Sequence, residues 1–208
     1  MAYTDFTFLS LKEKFGIQNR RAALFSNLLP LMPSERLQTA IKEAQGLVIR
    51  SEKARSEWLV APILSELRNR NDQFFMIHSG DNLTADEEMG LKGECDFILA
   101  KDTGSFEINV PIIQVVEAKK NDIEIGIPQC AAQMLGAKIY NQKYGTPLPY
   151  IYGCVTTGDD WLFLRLNDLL EIDTKKFFIN EVQELLGAFQ SIIDYYKTIL
   201  TTNSDRPR

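Results

Sequence analysis

The 208-residue chain contains one histidine and three cysteines, and no two cysteines are spaced as CxxC. A structural zinc site uses four Cys or His ligands, so a zinc protein is not expected. Cys95, Cys130 and Cys154 lie far apart among apolar neighbours, which predicts reduced core residues rather than disulfides. Reduced cysteines favour a cytoplasmic location.

The sequence also lacks long apolar runs. No stretch approaches the roughly 20 residues needed to span a bilayer, so no membrane association is expected. The first residues, MAYTDFTFLSLKEKF, show no basic segment followed by an apolar core, so no secretory signal is expected. The hydrophobic and charged fractions, 45% and 25%, are ordinary for a globular protein. We expect one domain over residues 1–208.

The net charge of −5 argues against a dedicated nucleic-acid coat protein. The charge is uneven, because residues 1–70 carry 11 basic and 7 acidic side chains and residues 71–208 carry 12 and 21. A basic layer beside an acidic, metal-binding layer is compatible with a nuclease. Chance clustering on solvated helices is the simpler explanation, and charge alone slightly favours it.

Local patterns predict a mainly helical extension over residues 1–50. Ser34 is a candidate N-cap for the segment that Gly46 ends. Ser51 is expected to cap a longer helix that runs to about Arg70, with Pro62 kinking it locally. This helix opens the predicted core, residues 51–166.

A β-rich block follows, in which QFFMIHS, ECDFILAK and PIIQVVEAK are predicted strands and the polar SGDNLTADEEMGLKG a loop. Pro128 is expected to open a helix, in a position that proline tolerates. YIYGCVTTG and WLFLRL predict a hairpin, KKFFI a further strand, NEVQELLGAFQSIIDYYKTIL a terminal helix and TTNSDRPR a frayed tail. The expected fold is α/β, a mixed central sheet with helices on both faces, completed by a strand, helix and tail over residues 167–208.

The segment QVVEAKK places Glu117 and Lys119 two residues apart at the end of an apolar run. In a strand, residues i and i+2 share a face, so the carboxylate and the ammonium point the same way. Buried charges of this kind are costly unless something pairs with them. A divalent cation and a phosphate would do so, whereas a structural ion pair is the plainer alternative.

The ordered set of a helix with Glu57, a strand with Asp96, a strand with Glu117-Ala118-Lys119 and a helix with two glutamines resembles the PD-(D/E)XK nuclease superfamily. The resemblance covers roughly residues 50–166 and implies a restriction-endonuclease-like αβββαβ core. The residue before Asp96 is Cys95, where the family pattern has proline.

The resemblance implies a role for each matched residue. Asp96 and Glu117 would bind Mg²⁺ or Mn²⁺, with the Ala118 carbonyl as a third ligand, and Lys119 would assist the attacking water. Glu57 would complete the site. Gln129 and Gln133, one helical turn apart on the following helix, would support Lys119 or contact the substrate.

Several assignments keep an alternative. Glu52 competes with Glu57 for the helix position, and Glu57 can instead pair with Lys53 or Arg55 in solvent. Lys53 and Arg55 are also candidate phosphate contacts, because they lie closest to Glu57.

Three functions fit the sequence. The first is a metal-dependent nuclease acting on DNA. The second is a nuclease-fold protein that binds nucleic acid or protein without turnover. The third is a generic α/β protein whose charges coincide with the motif. Cutting both strands of a duplex would favour a homodimer, with the apolar terminal helix as a candidate interface.

Overall fold

A computed structural model describes residues 1–204. Its seven strands form one mixed sheet in the order β1-β7-β6-β5-β4-β3-β2. The strands are β1 (Gln18–Ala22), β2 (Phe75–Asp86), β3 (Leu91–Lys101), β4 (Ile112–Ala118), β5 (Ile151–Thr156), β6 (Asp160–Leu166) and β7 (Leu169–Phe178). The β1–β7 and β4–β5 pairs are parallel, and the other neighbours are antiparallel.

Six α-helices accompany the sheet. They are α1 (Phe8–Phe15), α2 (Glu35–Gln45), α3 (Glu52–Arg55), α4 (Ala61–Arg70), α5 (Ile123–Lys143) and α6 (Val182–Ser204). A π-helical segment, Ser56–Val60, joins α3 to α4, and short 3-10 turns occupy Tyr3–Asp5 and Ile179–Glu181.

The helices lie on both faces of the sheet. A Cβ atom on Gly153 of β5 would meet Met134 and Cys130 of α5. The preceding residue, Tyr152, packs its ring against Tyr195 and Tyr196 of α6. Successive residues of a strand point to opposite faces, so α5 and α6 cover opposite sides. The predicted mixed α/β fold is thereby confirmed.

The β4 strand is buried on both faces over its whole length, as its continuous β-branched run predicts. Helix α5 is the crossover that returns the chain from β4 to the parallel strand β5. The carboxyl ends of β4 and β5 therefore lie side by side, next to the beginning of α5. The candidate site lies at these strand ends.

The β2–β3 hairpin corrects one prediction. The segment SGDNLTADEEMGLKG, expected to be a loop, continues both strands as far as the pair Asp86–Leu91. Only Leu83, Gly90 and Leu91 are buried over residues 79–92, so the apolar alternation that marks a strand is absent there. The hairpin extends beyond the part of the sheet that both layers of helices cover.

The N-terminal region contains a strand that the sequence did not predict. Residues Gln18–Ala22 pair in parallel with β7 at the edge of the sheet, and four of these five residues are exposed. Without an apolar face, β1 carries no strand pattern. Elsewhere in the region, the predicted Ser34 cap and Gly46 stop of α2 are confirmed.

The long helix after Ser51 contains the local irregularity expected near Pro62. It widens into the π-helical segment, in which the Ala61 N–H donates to the Ser56 carbonyl. Proline has no N–H to donate, and a π turn just before it rearranges the hydrogen bonds of the preceding carbonyls. Ser51 caps the helix through its side chain, as predicted.

Two boundaries differ from prediction. Helix α5 begins at Ile123 with Asp122 as its N-cap, so Pro128 lies inside the helix rather than at its start. Strand β7 begins at Leu169, before the predicted KKFFI segment. The hairpin of β5 and β6 is confirmed.

The terminal helix α6 packs against its own chain. Phe189, Ile192, Ile193 and Tyr196 are each no more than 1% exposed. This apolar face is therefore unavailable as a dimer interface. Of the predicted tail, Thr201–Ser204 is helical and the last four residues lie outside the described part of the chain.

Within residues 1–204, no helix combines the length and the apolar character needed to cross a membrane. All three cysteines are free and buried, as predicted.

The turn between β5 and β6 holds the N-terminal part of the long helix against the sheet edge. Arg55 donates to the carbonyl of Thr157 and pairs with Asp159 at 2.9 Å. Gly158 has φ +86°, and a Cβ atom there would lie 2.5 Å from Leu59 Cδ1. Glycine is required at this position both by the backbone and by the close approach of Leu59.

We expect Gly158→Ala to lower the free energy of unfolding by about 2 kcal/mol, because it adds a collision with Leu59 to the strain of a positive φ. Urea titration followed by circular dichroism measures this loss. Gly104→Ala is the matched control, since Gly104 has φ +74° with no atom within 4 Å of its Cβ position. Equal losses in the two variants would show that the Leu59 contact is unimportant.

Candidate metal and phosphodiester site

Glu117 and Lys119 are held together at the end of β4. The Lys119 Nζ lies 2.6 Å from Glu117 Oε1, and Gln133 Nε2 of α5 donates to Glu117 Oε2 at 2.7 Å. The Glu117 residue is only 2% exposed. The predicted shared face of the two charges is thus present, and α5 closes over it.

Asp96 reaches the same strand end from β3. The regular pairing of β3 with β4 stops at Phe97 and Val116. The next N–H of β4 that faces β3 is that of Ala118, and it donates to Asp96 Oδ2 at 2.7 Å. In a strand, the N–H and C=O of one residue point the same way, so the Ala118 carbonyl also faces the β3 side. The structure therefore brings together Asp96, Glu117, Ala118 and Lys119.

Burial raises the pKa of Glu117 to about 7, and the nearby charge of Asp96 adds to the shift, although Lys119 and Gln133 oppose it. The pKa of Asp96 is raised for the same first reason, burial. Burial and mutual repulsion thus make it costly for both carboxylates to be ionised at once, a pattern that is common at functional sites.

Lys119 is positioned by α5 as well as by Glu117. Its Nζ donates to Gln129 Oε1 at 3.0 Å. A Cβ atom on Gly126 would lie 2.6 Å from Val155 Cγ1 and 2.9 Å from Lys119 Cγ. Glycine at position 126 therefore creates the space in which the lysine stem lies. Sequence reasoning missed Gly126, whose only signal is a glycine two residues before Pro128.

Of the two candidate glutamates on the helix, Glu52 is the closer to the site. Its Oε1 accepts the N–H of Lys120 at 3.2 Å, and its charge raises the pKa of both Asp96 and Lys119. Glu57 has a 57% exposed side chain and pairs with Lys53 at 3.8 Å. The solvent pairing considered for Glu57 is thus what the structure contains.

A cleft of about 450 Å³ opens beside Asp96. Its walls are the helix that begins at α3 and the stem of the β2–β3 hairpin. The lining residues are Glu52, Lys53, Ser56, Glu57, Ser79, Gly80, Glu94 and Asp96. Glu57 therefore contributes to the cleft wall even though it is not among the buried carboxylates.

The two candidate phosphate contacts differ in their surroundings. Lys53 has an 84% exposed side chain at the cleft wall. The Arg55 side chain is 16% exposed, and its guanidinium is occupied by Thr157 and Asp159. Arg55 fastens the helix to the sheet edge, and only Lys53 has its charge available to solvent.

The donor atoms suit a hard divalent cation. Mg²⁺ is usually bound by one or two carboxylates together with waters. Asp96 Oδ1 accepts no hydrogen bond from residues 1–204, and Gln133 Oε1 beside Glu117 is buried without a partner. Within the described residues, no group of three or more His, Cys, Asp or Glu side chains is placed so that it could hold a metal ion. A site of two carboxylates and one carbonyl would suit Mg²⁺, which keeps several waters, better than zinc or calcium.

No protein-family model matches the chain, and no curated protein matches its sequence. The side chains and their geometry are therefore the basis for a functional conclusion.

We expect Glu117→Gln to raise the melting temperature of the metal-free protein by a few degrees at about pH 8. The folded pKa, about 7, lies above the ordinary value of 4.5, so ionising Glu117 destabilises the fold as pH rises through this window. Glutamine at position 117 removes the charge. Its oxygen can still accept from Lys119, and its amide can donate to Gln133 Oε1 if the Gln133 amide turns around.

The pH dependence is the control for this prediction. Below about pH 4.5 Glu117 is protonated in both the folded and the unfolded protein, so the higher melting temperature of the variant should disappear. Thermal melts in EDTA across this range measure it. A variant that is less stable than the native protein at high pH would mean that the Lys119 pair outweighs burial.

Proposed function

We propose that the protein is a metal-dependent nuclease that hydrolyses phosphodiester bonds in DNA. The observation that carries this proposal is the convergence of Asp96, Glu117 and Lys119 at one strand end, with an ammonium 2.6 Å from a buried carboxylate. Hydrolysis of a phosphodiester needs an activated water and compensation of charge on the phosphate. The three side chains supply groups for both.

Asp96, Glu117 and the Ala118 carbonyl would hold the cation, and Glu52 replaces Glu57 as the helix residue best placed to support it. Bound Mg²⁺ lowers the pKa of water and offsets phosphate charge. The raised pKa values of the two carboxylates favour this arrangement, since a cation restores the ionised form that burial opposes.

Lys119 acts as a cation in this scheme. Although burial opposes its charge, the carboxylates of Glu117, Glu52 and Asp96 together raise the pKa of Lys119, so it is protonated at neutral pH. A protonated amine orients the attacking water and offsets negative charge on the phosphate, rather than removing a proton. Gln129 holds the amine, and Gln133 holds Glu117.

The three free, buried cysteines support a cytoplasmic site of action, where thiols stay reduced. A homodimer remains a prediction for the cutting of both strands, and it would need a surface other than the buried face of α6.

Isothermal calorimetry with Mn²⁺ and a cleavage assay on linear, circular and single-stranded DNA test the proposal together. We expect Asp96→Asn to lose at least about tenfold in Mn²⁺ affinity and to abolish cleavage, because an amide does not replace the ligand charge. The native protein binding no Mn²⁺ would instead support the nuclease-fold module that binds without turnover.

Glu52→Gln and Glu57→Gln form a matched pair in the same assays. We expect Glu52→Gln to weaken Mn²⁺ binding roughly tenfold, because its charge acts on Asp96 and Lys119. Glu57→Gln should change affinity less than about twofold, since its partner is exposed Lys53. A larger loss of Mn²⁺ affinity in Glu57→Gln than in Glu52→Gln would show that Glu57, not Glu52, supports the cation.

Gly126→Ala tests the placement of Lys119. We expect the rate constant for cleavage to fall about tenfold or more while Mn²⁺ affinity stays within about twofold, because the added methyl displaces the lysine stem. Gly136→Ala is the control in the same helix, where the methyl meets Tyr3 instead. If both variants lose the same activity, the effect comes from α5 as a whole.

A further inference from the structure

The β2–β3 hairpin forms a fixed acidic wall beside the cleft. Residues 81–94 contain five acidic side chains, Asp81, Asp86, Glu87, Glu88 and Glu94, and one basic side chain, Lys92. The Lys92 amine lies 3.9 Å from Glu87, so its charge is directed within the hairpin. The strands stay paired out to Asp86 and Leu91, which makes the wall an ordered part of the sheet.

This wall borders the path to Asp96. Ser79, Gly80 and Glu94 of the hairpin stem line the cleft, opposite Glu52 and Lys53 of the helix, as the cleft residues above show. At about 3.3 Å per residue, the exposed Glu87 and Glu88 lie roughly 20 Å beyond Gly80 along the strand. The hairpin stem thus forms one side of the approach to Asp96, and a nucleic acid that extends along it from the cleft would face these carboxylates.

The cations at this edge are mostly engaged by acidic neighbours. Lys119 is bound to Glu117, Arg55 is bound to Asp159, and Lys53 lies 3.8 Å from Glu57. Proteins that bind duplex DNA neutralise many phosphates with Lys and Arg. Among the described residues, Arg50, two positions before Glu52, and Lys120, whose N–H donates to Glu52, are exposed cations outside any ion pair. Two such side chains compensate only a few of the phosphates that a duplex presents.

We propose that this site accepts single-stranded DNA in preference to the interior of a duplex. The inference rests on the proposed nuclease function and names its substrate form. A single strand can present one phosphate to the cleft and turn its neighbours away from the hairpin. A duplex carries a second row of phosphates, which would lie against an acidic wall with few compensating cations.

Cleavage of a fluorescent oligonucleotide, single-stranded or annealed to its complement, tests the preference in Mg²⁺. We expect kcat/KM for the single strand to exceed that for the duplex by roughly tenfold at about 50 mM salt. The duplex rate should rise between about 50 and 200 mM salt, because salt screens the repulsion. A duplex preference, or a steep loss of duplex cleavage with salt, would overturn the inference.

Charge reversal at the tip of the hairpin tests whether the acidic wall causes the preference for single-stranded DNA. Glu87→Lys with Glu88→Lys should raise duplex cleavage about fivefold at low salt and leave single-strand cleavage within about twofold. Glu43→Lys with Glu181→Lys makes the same change of net charge at exposed residues away from the cleft lining. An equal effect from this control pair would mean that net charge alone, not the hairpin, sets the preference.

Binding in Ca²⁺ separates this inference from the proposed function. Fluorescence anisotropy of the same two oligonucleotides with the native protein measures recognition without relying on turnover. Tighter binding of the single strand without cleavage of either substrate in Mg²⁺ would remove the nuclease function and keep the preference. Equal or no binding of the two forms, with no preference in cleavage, would remove the substrate inference.

Discussion

The hydrogen bond from the Ala118 N–H to Asp96 Oδ2 is the interaction on which the site depends. It occupies the position at which the β3–β4 ladder would otherwise continue past Phe97 and Val116. A side-chain carboxylate thus takes the place of a backbone acceptor, which satisfies the strand end and holds Asp96 beside Glu117. Strand β4 ends at this point, and the cleft beside Asp96 opens between the stem of the β2–β3 hairpin and the helix that starts at Glu52.

Helix α5 both connects two strands of the sheet and positions the charged side chains of the site. It is the obligatory connection between two parallel strands, so its first turns must lie over the end of β4. Gln133 and Gln129 of this helix contact Glu117 and Lys119, and Gly126 provides the space for the lysine stem. The same topological requirement that closes the sheet therefore fixes the orientation of the charged pair.

Those elements of the fold that apolar periodicity and local capping determine could be predicted from the sequence. The buried run of β4 and the cap at Ser34 were accessible because each has a local pattern. The convergence of Asp96 with Glu117 was expected from the resemblance to a nuclease superfamily and not from a local pattern. Strand β1 and the outer β2–β3 hairpin were missed, since they are held by backbone pairing and show little apolar alternation. The choice between Glu52 and Glu57 required the helix orientation that the β5–β6 turn imposes, a long-range contact no local pattern encodes.

The free cysteines bear on which metals the proposed site would accept. Burial raises the pKa of Cys95 and Cys130, and the charge of Glu117 raises both further, so these thiols stay protonated and unreactive. Soft ions such as cadmium and zinc gain most of their affinity from thiolate sulfur. In the proposed site, neutral and inaccessible sulfur atoms would leave oxygen as the only donor, and oxygen donors favour magnesium and manganese over these soft ions.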